Sequence, residues 1–318
     1  MDTMHLVDPE LAPMLQVFPQ LQLTRETLPE IRAGIEAMFA QGSAGQPEFP
    51  NITVTKHAVP GPDGAPDVPV IMYVPKSEQR PLPALLWIHG GGYVIGSVEQ
   101  DDLQVKGMVD QVGCVAVSVE YRLAPETAAP GSVEDCYAVL RWLHANAAEY
   151  GVDSNRIAIG GASAGGGMAA ALGLLTRDRG EIPFAFQLLI YPMLDDRTGT
   201  TSEPHPHVGE FIWTVESNRF GWSALLGHAP GGDHASPYAA PARAESLAGL
   251  PATFICVGAL DLFLEEDLEY ARRLMRAGIP TELHVYPAAF HGFNLMSTAR
   301  VSQAFNRDLT EALRRALF

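Results

Sequence analysis

The chain has 318 residues, 47% of them hydrophobic and 18% charged, which is ample material for a buried core, and its net charge is −16. That balance, with no basic cluster, disfavours electrostatic attraction to nucleic acid or to an anionic membrane. Length alone suggests about two domains, but strand and helix patterns run on without a long polar linker, which favours one α/β domain carrying an insertion.

The first residues, Met1-Asp2-Thr3-Met4-His5, show neither the positive region nor the apolar core of a signal peptide. Three widely spaced cysteines, Cys114, Cys136 and Cys256, are odd in number and form no C-x-x-C pair, a pattern of reduced, buried thiols in a cytoplasmic protein. Thr27-Leu28-Pro29-Glu30 has capping-box spacing, and Ile31, Ile35, Met38 and Phe39 then share one helical face, with Gly42 as the expected stop. Two β-like runs follow, 52–59 and 68–74, joined by the turn-forming Pro60-Gly61-Pro62-Asp63-Gly64. Asn51-Ile52-Thr53 matches a glycosylation sequon, but with no secretion expected it reads as strand sequence.

Strands are expected at 84–88, 115–119, 157–160, 185–190, 252–257 and 282–287, alternating with helices at 103–112, 132–148, 166–177 and 265–277. The last helix carries Val301, Phe305, Leu309, Leu313 and Leu317 at a four-residue step. Such alternation predicts an α/β fold with a mostly parallel sheet and helices on both faces. The uncharged run Ile157–Thr176 has membrane-span length, but its six glycines argue for a buried strand, turn and helix. Between Pro192 and Ser236 the alternation breaks. This insertion holds Phe211, Trp213, Phe220 and Trp222, aromatics that either line an acyl pocket or pack the insertion itself. His205-Pro206-His207 lacks an evident third ligand, so no metal is expected, and no cofactor is needed.

Three motifs carry chemistry. Gly161-Ala162-Ser163-Ala164-Gly165 follows the apolar Ile157–Gly160 run and reads as a nucleophile elbow, a strand-to-helix turn too tight for side chains two residues either side of the serine. Ser118 and Ser236 lack this setting. His89-Gly90-Gly91-Gly92-Tyr93 follows a second apolar strand, and its glycines would let bare N–H groups point into a cavity, as an oxyanion hole requires. Near the C-terminus, Asp261 and His291 each fall just past a strand, giving the chain order Ser, Asp, His. Glu265, Glu266 and Asp267 compete with Asp261 for the acid, although they also suit the first turn of the helix at 265–277. His284 sits inside a strand and reads as core or sheet surface.

In combination these motifs resemble the hormone-sensitive-lipase-like (bacterial family IV) carboxylesterases of the α/β-hydrolase superfamily. Tyr121-Arg122-Leu123-Ala124-Pro125-Glu126 with Glu134-Asp135, Tyr191-Pro192, Ser236-Pro237-Tyr238 and Gly249-Leu250-Pro251 extend the similarity over roughly residues 50–318. The resemblance implies an eight-stranded α/β-hydrolase domain formed by 46–204 and 231–318, under a helical cap formed by 1–45 and 205–230. It also implies that Gly91, Gly92 and Ala164 donate to the oxyanion while Gly90 and His89 shape the loop, and it is compatible with a homodimer through the last strand. The sequence departs from the branch at Ala162, where aspartate or threonine is common, and at Leu262-Phe263-Leu264-Glu265-Glu266, where a Pro-Leu-Arg-Asp-Glu-like run is usual.

The implied activity is hydrolysis of short- to medium-chain carboxylic esters through an acyl-enzyme on Ser163. A lactonase, amidase or thioesterase would use the same groups. Plant gibberellin receptors resemble the branch without its histidine and set a non-catalytic alternative, against which His291 is retained here.

Overall fold

The computed structural model describes residues 3–18, 21–41, 47–77 and 80–318, with the side chains of 39–41 left aside. The expected stop at Gly42, the Phe39 side chain and the 45/46 domain boundary therefore lie outside the described residues. In chain order the elements are α1 (Met14–Val17), α2 (Leu28–Gln41), β1 (Ile52–Val59), β2 (Val68–Pro75), β3 (Leu82–Ile88), α3 (Asp102–Val112), β4 (Val115–Val119), α4 (Gly131–Ala145) and β5 (Val152–Ala162). There follow α5 (Ala164–Arg179), β6 (Phe186–Ile190), α6 (Val215–Leu226), β7 (Ala252–Gly258), α7 (Leu264–Arg276), β8 (Thr281–Tyr286) and α8 (Arg300–Leu317).

All eight strands form one sheet in the order β1-β2-β4-β3-β5-β6-β7-β8. Only the β1/β2 and β2/β4 pairings are antiparallel. Strands β3, β4 and β6 are buried at every position, as expected of apolar runs covered on both faces. Edge strand β1 is exposed along most of its length. Strand β5 begins five residues earlier than its apolar core suggests. Its polar start pairs only through Val152 with Leu82, and a register irregularity then precedes the Ile157 pairing. Residues Asp153 to Arg156 hide that extension from a hydrophobicity reading, because Arg156 Nε donates to Asp153 Oδ2 across the surface.

Helix α5 occupies the centre of the molecule, and every residue from Ala164 to Thr176 is buried. Its small side chains permit this approach: a Cβ on Gly167 would lie 2.0 Å from the Met193 carbonyl oxygen. The uncharged run that could have measured a membrane is thus the end of β5 and the start of α5. Among the described residues no helix is long and apolar enough to cross a membrane.

The start of α2 differs from the capping-box expectation. The Thr27 N–H goes to Thr24 Oγ1 rather than to Glu30, and the Thr24 N–H goes back to Thr27 Oγ1. Of the expected apolar face, Ile31 and Ile35 pack on the core while Met38 is exposed. Arg32 anchors the helix by donating to the carbonyls of Val94 and Ala124 and to Glu126. The first residues bridge two regions, since Thr3 donates to Glu210 of the insertion while the Asp8 N–H donates to the Ala288 carbonyl just after β8.

Trp87 near the end of β3 donates from Nε1 to Asp101 Oδ2 at 2.7 Å, tying the sheet to the start of α3. Burial raises the Asp101 carboxyl from its ordinary 3.8 to about 6, against the opposing effect of the Trp87 bond. A carboxyl whose pKa rises on folding adds stability that is complete below its unfolded pKa and is lost as pH climbs through about 6. Asp101→Asn keeps an acceptor for Trp87 but cannot ionise. Its stability relative to the parent should therefore improve by about 2 kcal/mol between roughly pH 4 and pH 8 in thermal melts. A stability gap that does not change with pH would contradict this account.

Candidate active site

The sheet delivers its functional side chains at the exits of β5, β7 and β8. Ser163 sits between β5 and α5 with φ 57° and ψ −123°, a strained setting for a residue with a Cβ. Its N–H donates to Ile190 O at 2.8 Å, and its carbonyl accepts from Met193 N–H at 3.0 Å. The flanking glycines are sterically required: a Cβ on Gly165 would lie 2.1 Å from Ile88 O, and one on Gly161 would lie 2.4 Å from Gly165 O.

Asp261 and His291 meet because β7 and β8 are parallel neighbours whose exit loops bond to each other. Ala259 N–H donates to Tyr286 O and Leu260 N–H to Ala289 O, and Gly258 leaves no room for a Cβ, which would sit 2.2 Å from Ala289 O. The result is a continuous chain of side chains. His291 Nδ1 lies 2.7 Å from Asp261 Oδ2, and His291 Nε2 lies 2.9 Å from Ser163 Oγ. Asp261 is fully buried, and its other oxygen accepts the Phe263 N–H at 3.0 Å. A carboxylate can only accept, so Nδ1 carries the proton and neutral Nε2 is left to accept from the serine hydroxyl. Tyr191, Phe263 and Trp213 surround the imidazole with ring centroids 4.7, 5.2 and 6.4 Å away.

The competing acidic residues lie elsewhere. Glu265 Oε2 accepts the exposed His205 N–H, Glu266 holds backbone N–H groups of the segment after β6, and Asp267 is buried without a hydrogen-bond partner among the described residues. His284 bonds to Glu282 at the sheet edge. In the His205-Pro206-His207 segment, His205 Nδ1 is occupied as acceptor of the His207 N–H.

The glycine loop after β3 places Gly90 beside the serine, with a hypothetical Cβ 3.4 Å from Ser163 Cβ. Gly91, Gly92 and Tyr93 all have positive φ, at 118°, 58° and 66°. Gly91 O accepts the N–H groups of Val94 and Ile95, while among the described residues the N–H groups of Gly91 and Gly92 have no protein partner. Ala164 opens α5, where the first N–H groups of a helix lack intrahelical acceptors. His89 is buried, and burial holds its pKa down to about 4, so the ring is neutral and its Nδ1–H donates to Gly90 O at 2.8 Å. Tyr121 stacks on that ring at 4.3 Å and donates its hydroxyl to His89 O. The next residue, Arg122, is clamped through backbone N–H and guanidinium by fully buried Asp135. The Tyr-Arg motif and its distant Asp thus brace the glycine loop, a role the sequence pattern alone does not assign.

The insertion aromatics divide. Trp213 reaches the site: a Cβ on Gly92 would lie 2.0 Å from its Cη2 atom. It is held by a bond from Nε1 to Asn218 Oδ1 and by a tight turn at Ile212, whose φ is 62°. Phe211 packs on Phe290, next to His291. Trp222 is fully buried against Tyr93, so it packs the fold rather than facing the serine, and Phe220 borders a surface cleft of about 260 Å³ beside Leu23 and Pro125.

A family profile described as alpha/beta hydrolase fold matches residues 85–295. Among curated relatives, carboxylesterase NlhH of Mycobacterium tuberculosis is 34% identical, the match covering 98% of this chain and 96% of that protein. Among solved structures, a bacterial heroin esterase superposes with a TM-score of 0.93 at 41% identity and covers 99% of both chains. Esterase LipW from Mycobacterium marinum does so with a TM-score of 0.88 at 33% identity, covering 100% of this chain and 98% of the other. The chain belongs to the α/β-hydrolase family, in its hormone-sensitive-lipase-like branch. It is a carboxylic ester hydrolase.

The contact between Gly92 and Trp213 yields a double-mutant test. Gly92→Ala should lower kcat/KM by about 10²-fold, and adding Trp213→Ala should recover about ten-fold of that loss if the indole is the obstruction. Strictly additive losses in the double variant would show that the two residues do not collide.

Proposed function

We propose that Ser163 is the nucleophile, His291 the general base and acid, and Asp261 the carboxylate that orients the imidazole, in a serine esterase acting on short- to medium-chain esters. The observation that carries this reading is the unbroken chain Asp261 Oδ2–His291 Nδ1 and His291 Nε2–Ser163 Oγ at 2.7 and 2.9 Å. A serine hydroxyl is a poor nucleophile until a base takes its proton. His291 Nε2 removes that proton as Oγ bonds to the ester carbonyl carbon, and buried Asp261 stabilises the imidazolium without taking the proton. The carbonyl oxygen gains negative charge at the tetrahedral stage. The N–H groups of Gly91, Gly92 and Ala164 are the donors assigned to it, at the positive end of α5.

Collapse of that intermediate breaks the bond to the alkoxy oxygen, which takes the Nε2 proton and leaves as the alcohol. Water then repeats the sequence on the acyl-serine and releases the carboxylic acid. His89 and Gly90 are assigned to shaping the donor loop, and Trp213, with Phe211 behind it, to bounding the acyl site. Chains of modest length suit a serine and histidine that are each only 6% exposed beneath an indole. The three cysteines, all free and buried, support a cytoplasmic location.

Ser163→Ala and His291→Ala should each lower hydrolysis of a p-nitrophenyl acetate-type ester by about three orders of magnitude or more, with a smaller loss for Asp261→Asn. Substantial turnover by either folded alanine variant would refute the assignment. In an acyl series from acetate to palmitate, rates should peak among the shorter chains, and a maximum at palmitate would reject the proposed range.

A further inference from the structure

Glu266 stands out because it serves neither the imidazole nor the protein surface. It lies on the first turn of α7, 8% exposed, and its Oε1 accepts two backbone N–H groups, from Leu194 at 2.6 Å and Asp195 at 3.2 Å. Those N–H groups belong to the segment leaving β6. The preceding residue, Met193, donates its own N–H to Ser163 O at 3.0 Å and accepts the Tyr93 hydroxyl on its carbonyl at 2.9 Å. Met193 is therefore the junction between the serine turn and the residue that ends the glycine loop. At its other end, Glu266 is carried by the helix that begins just past Asp261, where Phe263 N–H is bound to the Asp261 carboxylate.

We propose that Glu266 is a positioning residue for ester hydrolysis, a strut that fixes the acid-bearing helix α7 against the segment holding the Ser163 carbonyl and Tyr93. The inference rests on the assignment of Ser163, Asp261 and His291 given above. It differs from the sequence alternative that made Glu266 the acid itself, since its bonded oxygen faces backbone donors. Two groups on one strut must keep their separation to a fraction of an ångström, because a displacement of about 1 Å at a reacting centre can cost about 10²-fold in rate. The essential feature is an acceptor at Oε1, not a charge. Burial raises the carboxyl well above its ordinary range, which suits an uncharged side chain of the same shape.

The test compares Glu266→Gln, which keeps the acceptor, with Glu266→Leu, which removes it. Glu266→Gln should hold kcat within about three-fold of the parent, while Glu266→Leu should lower kcat by about ten-fold or more and leave KM within about three-fold. Labelling of Ser163 by an organophosphonate should slow in step with kcat. Glu265→Gln, which touches only an exposed N–H, serves as the unchanged control. Should Glu266→Leu fail to fold, Glu266→Asp replaces it, since the shorter side chain loses reach while keeping its carboxyl; its kcat should fall below that of Glu266→Gln by about five-fold. Parent-like kcat in folded Glu266→Leu or Glu266→Asp, or an equal loss in Glu266→Gln, would overturn the proposal. Ser163→Ala is run alongside: activity surviving there discredits the underlying assignment, whereas an inert Ser163→Ala beside a fully active Glu266→Leu discredits the strut alone.

Discussion

The arrangement depends on one further backbone hydrogen bond at the exits of the three parallel pairs β5/β6, β6/β7 and β7/β8. Ser163 N–H to Ile190 O, Tyr191 N–H to Cys256 O and Ala259 N–H to Tyr286 O carry the ladder one step past the strands, at 2.8, 2.6 and 2.8 Å. Loops that would otherwise wander are thereby locked in the plane of the sheet before they bend. Side chains separated by 128 positions can then meet within hydrogen-bonding distance, since each leaves a fixed rail. Gly161, Gly165 and Gly258 belong to the same constraint, because a methyl group at any of them would drive the rails apart.

Much of this was legible from residue order. The alternation of apolar runs with helical stripes located β3 to β8, since parallel strands covered on both faces tend to show as unbroken hydrophobic stretches, while β1 and β2 were legible as β-like runs on either side of a turn. The glycine spacing around Ser163 carried its own steric reason, and the position of Asp261 and His291 just past strands placed them at one edge. The illegible parts share a cause. The polar start of β5, the Thr24–Thr27 pair and the exposure of Met38 depend on which neighbour a surface residue finds, and local pattern does not encode that. Helix α6 was hidden inside the aromatic insertion, where Thr214 caps it through a bond from the Ser217 N–H.

Buried polar residues mark the limit of such reading most clearly. Asp261, Glu265, Glu266 and Asp267 look alike in sequence, yet the first meets an imidazole, the second an exposed N–H and the third two backbone N–H groups, while the fourth is buried with no hydrogen-bond partner among the described residues. Only their three-dimensional partners tell these carboxyl groups apart. Asp135 shows the same point at a distance, since its value to the glycine loop passes through Arg122 and Tyr121 before reaching His89.

The sulfur chemistry of the chain follows from its packing. Burial lifts the Cys114 thiol to about 12 and those of Cys136 and Cys256 well above their ordinary value, so thiolate is scarce at neutral pH. Maleimides and iodoacetamides would find no ready target in the folded chain. A single cysteine introduced at an exposed position would then serve as a unique handle for dyes or immobilisation, with every native sulfur left in place.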